Sequence, residues 1–279
     1  MQIRHPSEAP RTNTGKTREG EMDDKVMLEG KEGTPGNYRL LLENPVTDWK
    51  TPRHRHDFDQ IRYAIQGDFN YAPGKWLREG SVGYFPEGVY YGPQVKPAGT
   101  KLALFQFGGP SGSGYSSNRQ KKAAYEQMLK EGKFEGGVFT YIDAQGRKHN
   151  QDAAEARRER ITGRKIDYRP RYEDLIIMNP AHYAWLTDPK NSAVHYKWLG
   201  SFTERGLKVG FVRLEQGASI HIGEHAAPEM LLVLSGKVGV AGKACAAHTA
   251  ISVEAREGPV ALKAAEASEL IYLKLHVFD

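Results

Sequence analysis

Two histidines two residues apart, His54 and His56, are the side chains in this 279-residue chain best placed by type and spacing to do chemistry. After three intervening residues comes Gln60, and after six more Gly67. On a strand, positions two apart share a face, so the imidazoles of His54 and His56 project the same way. Gln60 can join them if the chain stays extended or bends slightly. Paired imidazoles on one face suit a divalent transition metal, and spacing alone does not choose among Fe, Mn, Co, Ni and Zn. A second cluster follows at Gly80, Pro86-Glu87-Gly88 and Tyr91.

Together these runs resemble the two signature motifs of the cupin superfamily. The first reads glycine, five residues, His-x-His, three or four residues, an acid, six residues, glycine. Here His54, His56 and Gly67 match, Gln60 holds the acidic position, and Asp48 stands where the opening glycine belongs. The second motif matches at Gly80, Pro86 and Gly88, with Tyr91 in the histidine position and Val95 in place of the closing asparagine. The resemblance implies a double-stranded β-helix barrel enclosing one divalent metal. His54, His56 and Gln60 are its expected ligands, with Tyr91 as fourth ligand or as a proton donor. Two imidazoles and an amide bring no negative charge, so such a centre keeps its charge and open positions for a bidentate anion, water or dioxygen.

Strand parity adds Arg62, which shares the face of Gln60. A guanidinium inside a barrel is costly without an anion, and its forked donors match a carboxylate. Arg62 is therefore expected to hold a substrate carboxylate, with pairing to Glu87 as the alternative. Asp57 and Asp59 fall on the other parity and are expected in a solvated bend. A worn copy of the first motif recurs at Gly217, Gly223-Glu224-His225, Glu229 and Gly236, without a second motif after it. That half is expected to be a structural barrel, although His221, His225 and Glu229 could be argued into a site.

The elements that must position these residues are short. Apolar runs near 38–42, 60–65, 67–71, 80–85 and 101–107 alternate with Gly and Pro turns, and the pattern resumes at 175–178, 194–198, 207–214, 230–234, 238–241 and 269–277. The expected fold is all-β: two double-stranded β-helix (cupin, jelly-roll) barrels joined by a short helical linker. Residues 1–36 lack a hydrophobic period and read as an arm. Residues 37–110 form the metal-binding barrel, 111–172 a basic helical linker, and 173–279 the degenerate barrel. Helices are expected from Asn118 to Glu131 and from Gln151 to Ile161. The linker carries 14 of the 39 basic residues against 8 acids, interleaved as in Arg157-Arg158-Glu159-Arg160, which suits a solvated connector better than a nucleic-acid surface. The Gly/Ser run 109–116 has Tyr115 where a phosphate-binding loop needs lysine, and reads as a flexible exit from the barrel.

Charged residues at 26%, a mean hydropathy of -0.61 and the absence of a long apolar run argue against a membrane span. The single cysteine, Cys245, excludes an internal disulfide framework and fits a reducing compartment. A cytoplasmic enzyme is expected, acting on a small, carboxylate-bearing molecule. Dioxygenase-type oxidation comes first, isomerase or lyase chemistry next, and a non-catalytic binding protein is the competing class. A homodimer is expected, with neither nucleic acid nor membrane as partner.

Overall fold

A computed structural model of the chain describes residues 1–12 and 17–278. It divides into two compact units, one of residues 11–109 and 113–177, the other of residues 1–10, 110–112 and 178–279. Both are built from antiparallel sheets of the cupin jelly-roll type, as expected. In the first unit a six-stranded sheet runs in the order Ile176–Met178, Val82–Phe85, Phe58–Gln66, Lys101–Gly108, Tyr38–Glu43 and Lys25–Glu29. Two small sheets accompany it, Trp49–Thr51 with Gln94–Lys96 and Phe69–Ala72 with Lys75–Leu77.

Register divides the interior of this barrel into two zones. Arg39, Gln106 and Gln60 lie in one row across three strands, and Gln60 faces Phe85 on the fourth. The next same-face row holds Leu41, Leu104 and Arg62. Beyond them Val26, Leu41, Ala64, Phe69, Leu77, Leu102 and Leu104 pack as an apolar cluster. One end of the barrel is thus a dry core and the other is polar. The motif glycines Gly67, Gly80 and Gly88 all have positive φ. At Gly88 φ is +81°, and an added Cβ would lie 2.9 Å from the Pro170 nitrogen. Left-handed backbone at such a turn favours glycine because it has no Cβ to clash.

The second unit pairs a seven-stranded sheet with a four-stranded one. Its interior is closed by aliphatic packing, with Val212, Leu231, Val233, Ile251, Val253 and Leu270 all buried. Glu229, in the acidic position of the worn motif, is buried too. It accepts a hydrogen bond from the Tyr272 hydroxyl at 2.6 Å and another from the Gly223 amide. His221 is exposed. Glu229 therefore braces a packed interior, and His221 lies outside it.

Two sequence expectations are corrected. The segment 1–36 is not a bare arm: Gln2–Arg4 pairs with Ala250–Val253 in the second unit, and Lys25–Glu29 pairs with Tyr38–Glu43 in the first. The periodicity was too short to read in a three-residue strand, and Asn13 and Gly15 lie outside the described residues. The linker is not purely helical. Between helices Asn118–Met128 and Ala153–Thr162 lie three antiparallel strands, Gly132–Glu135, Val138–Ile142 and Lys148–Asp152. The first helix is capped by Ser117, in a reciprocal box with Gln120.

Candidate metal centre

The polar end of the first barrel opens into a cavity of about 780 Å3, and His54, His56, Gln60, Arg62 and Tyr91 all line it. Backbone pairing assembles them. His54 and Tyr91 form an isolated antiparallel bridge, and the Gly88 amide donates to the His56 carbonyl at 2.7 Å. The second motif is thereby stitched onto the first. The two imidazole centroids lie 4.8 Å apart, nearly edge to face, and His56 stacks on Phe58 at 4.4 Å.

Both imidazoles are held neutral. Burial, with the positive charge of Arg18, pushes His54 down to about 3. Burial and the neighbouring His54 drive His56 well below its ordinary value. His54 Nδ1 lies 2.8 Å from the Pro52 carbonyl, so that nitrogen carries the proton and Nε2 keeps its lone pair. That tautomer leaves Nε2 free to bind a metal ion.

Gln60 and Tyr91 are arranged otherwise than the spacing suggests. Arg62 donates to the Gln60 carbonyl oxygen from Nε at 3.0 Å and Nη2 at 2.8 Å. An amide ligates through that oxygen, so here Gln60 serves Arg62 and not a cation. Its amide nitrogen donates to the Tyr91 hydroxyl at 3.2 Å, and Arg62 Nη2 donates to the same oxygen at 2.9 Å. Burial raises the Tyr91 phenol, opposed by Arg62, so Tyr91 keeps its proton and can give it to an acceptor in the cavity. Among the described residues no group of three or more His, Cys, Asp or Glu side chains gathers around a common point. The donor set fits a divalent ion through His54 and His56, with the Tyr91 oxygen beside them and the remaining positions left to exogenous ligands.

Arg62 points inward, as its parity predicts, but not to Glu87. It also donates to Gln94 at 3.0 Å and stacks over Phe85 at 3.9 Å. Glu87 pairs with Arg171 at 2.8 Å instead. Asp57 and Asp59 are corrected from solvated to buried. Asp57 takes the Arg158 Nε with both oxygens at 3.0 Å, and Asp59 accepts from the Tyr84 hydroxyl at 2.8 Å. Tyr115 is buried and donates to Gln106 at 2.7 Å, so its segment is no flexible exit.

The sequence pointed to none of the other cavity groups. Arg18, Arg157, Lys96, Glu43 and Asp24 line it as well. Arg18 grips Asp152 with Nη2 at 3.0 and 2.9 Å, and Asp152 caps the helix that carries Arg157. Lys96 and Glu43 form a buried ion pair. Desolvation, with the nearby Glu43 charge, pushes Asp24 up to about 7. The available signal was the spacing Ala153, Ala156, Arg157, which places the arginine on the buried face of its helix.

No family model and no curated protein matches the chain. Solved structures do. A Nostoc punctiforme protein, provisionally named a dioxygenase, superposes with a TM-score of 0.63 at 10% identity, covering 99% of this chain and 82% of that one. Streptomyces albus HEPD, solved with 2-hydroxyethylphosphonate and Fe(II), gives 0.57 at 10% identity over 99% and 76%. Bacillus subtilis oxalate decarboxylase gives 0.54 at 14% identity over 99% and 78%. The shared architecture is the two-barrel cupin fold. Among the described residues no helix is long and apolar enough to cross a membrane.

Proposed function

Starting from a two-barrel cupin fold whose first barrel holds two neutral imidazoles beside a buried arginine, we propose a metal-dependent enzyme acting on a small, carboxylate-bearing organic molecule. Dioxygenase-type oxidation is the reaction that fits best. The observation that carries this is the convergence of His54, His56, Tyr91 and Arg62 on one cavity. A divalent transition metal, when bound, supplies Lewis acidity and one-electron chemistry toward dioxygen. His54 and His56 would hold it. Arg62 binds the substrate carboxylate, and Gln60 fixes the guanidinium by its amide oxygen. Tyr91 gives a proton to an oxygen of the bound molecule. Arg18, Lys96 and Arg157 also line the cavity, Arg18 paired with Asp152 and Lys96 with Glu43.

Asp24 favours a second reading, an isomerase or lyase. A wall carboxyl raised to about 7 can take and return a proton at neutral pH, as enolisation requires. In either case the protein would work in the cytoplasm as a homodimer on a diffusible small molecule, with neither nucleic acid nor a membrane as partner.

Metal analysis of the purified protein, combined with oxygen uptake across a panel of small carboxylates, tests the proposal. One equivalent of a divalent transition metal and carboxylate-dependent uptake are expected. Metal turnover without oxygen consumption would move the assignment to the isomerase or lyase class. A protein that takes up no metal with His54 and His56 intact would make it a binding protein.

A further inference from the structure

Behind His56 lies a smaller enclosure of about 130 Å3, far above the ~10–15 Å3 that one water needs. It shares His56, Gln106 and Arg157 with the main cavity, so the two spaces meet at the imidazole. Its other walls carry Arg39, Arg55, Lys121 and Arg158, with the carboxylates of Asp57 and Glu155 beside them.

Five basic side chains line this enclosure, and the carboxylates around them are mostly committed. Asp57 pairs with Arg158, Asp152 with Arg18, and Glu155 with Arg55. Glu29 and Asp24 act on Lys121 and Arg39 through space, and Asp24 is itself held near neutrality. Arg39 is the telling residue. It is 7% exposed, and its hydrogen-bond partners are neutral amides, Gln106 at 2.8 Å and Asn118. Its Nε is buried with no hydrogen-bond partner. A buried guanidinium with an unmet donor is costly unless something anionic meets it. Lys121 lies against Tyr115, its Nζ 3.8 Å from the ring centre. Desolvation and the surrounding arginines hold its amine well below the usual range.

We propose that this enclosure is a second oxyanion site, which takes the distal carboxylate or phospho group of a doubly charged substrate. The assignment rests on the reading above, in which the first carboxylate lies at Arg62. A substrate spanning the two sites passes the imidazoles, and Arg39 selects dianions over monoanions.

Calorimetric titration at fixed ionic strength with propionate, malonate, succinate, glutarate and inorganic phosphate tests this on the full-length protein. At least one dicarboxylate is expected to bind about tenfold or more tightly than propionate. Arg39→Gln should remove that preference and leave propionate affinity within about twofold. Lys121→Gln, at a partly exposed residue, should narrow the preference and serves if Arg39→Gln does not fold by circular dichroism. Phosphate binding that Arg39→Gln abolishes identifies a phospho group, whereas dicarboxylate binding without phosphate binding identifies a carboxylate. Dicarboxylates no tighter than propionate, or a preference that survives both substitutions, would overturn the proposal. Metal content and oxygen uptake are read separately, so a metal-free protein that still prefers dianions defeats the enzyme and leaves this site standing.

Discussion

The backbones of His54 and Tyr91 exchange a pair of hydrogen bonds, 2.9 Å in one direction and 3.0 Å in the other, which sets the imidazole and phenol centroids 4.4 Å apart. The strap between the two motifs therefore fixes how far the proton donor stands from the ligating ring. It also makes Tyr91 partly a structural residue, so its side chain is better tested by Tyr91→Phe than by deletion.

Metal retention should separate true ligands from their supports. His54→Ala and His56→Ala are each expected to lower bound metal at least tenfold. Gln60→Ala should cost clearly less, because its oxygen is turned to Arg62. Elemental analysis after dialysis against a weak chelator reads all three. Equal losses would restore Gln60 to the ligand set.

Arg62→Gln should weaken carboxylate binding by about 10- to 100-fold, the range of one lost charge-assisted contact. Folding should survive, since Gln60, Gln94 and Tyr91 can bond to one another once the guanidinium is gone. Titration with a monocarboxylate, alongside a thermal melt, checks both halves. Unchanged affinity would remove Arg62 as the anchor.

Stability should depend on pH through two groups of opposite sense. His54 is depressed to about 3 in the folded protein from an ordinary 6.5, so below pH 6.5 the unfolded chain binds a proton that the folded one refuses. Stability is lost as pH falls through that window. Asp24 is raised from 3.8 to about 7, so the folded chain holds the extra proton and stability is lost as pH rises between those values. Asp24→Asn should therefore stabilise the protein at pH 8 by on the order of 1–2 kcal/mol and change little at pH 4. Urea melts across this range measure it. A variant no more stable at pH 8 would show that the carboxyl is ionised there without strain.

Arg158→Met should destabilise the protein by about 3 kcal/mol or more, because it strands the buried Asp57 charge. The guanidinium also donates to the Ser113 carbonyl at 2.7 Å and to Ser116. Pairing the substitution with Asp57→Leu should recover part of the loss. Denaturant melts of the two single variants and the double variant give the coupling.

The motif spacing, the inward aim of Arg62 and the apolar closure of the second barrel were legible in the sequence because each depends on neighbours a few residues away. Parity also placed Asp57 and Asp59 correctly off the face of Gln60. It misjudged their exposure, because residues 113–177 return to cover that surface: Arg158 meets Asp57, Arg171 meets Glu87, and Tyr172 packs on Tyr84. The cationic wall was hidden for the same reason. Arg18 and Arg157 reach the cavity through a chain reversal more than a hundred residues long, and no local pattern encodes it.

The pairing of Gln2–Arg4 with Ala250–Val253 has a bearing on biosynthesis. During synthesis Gln2–Arg4 cannot pair until some 250 further residues have emerged, so this contact is among the last to form. Severing the gene between the halves would leave the carboxy-terminal fragment with an uncapped sheet edge, the kind of surface on which aggregates grow.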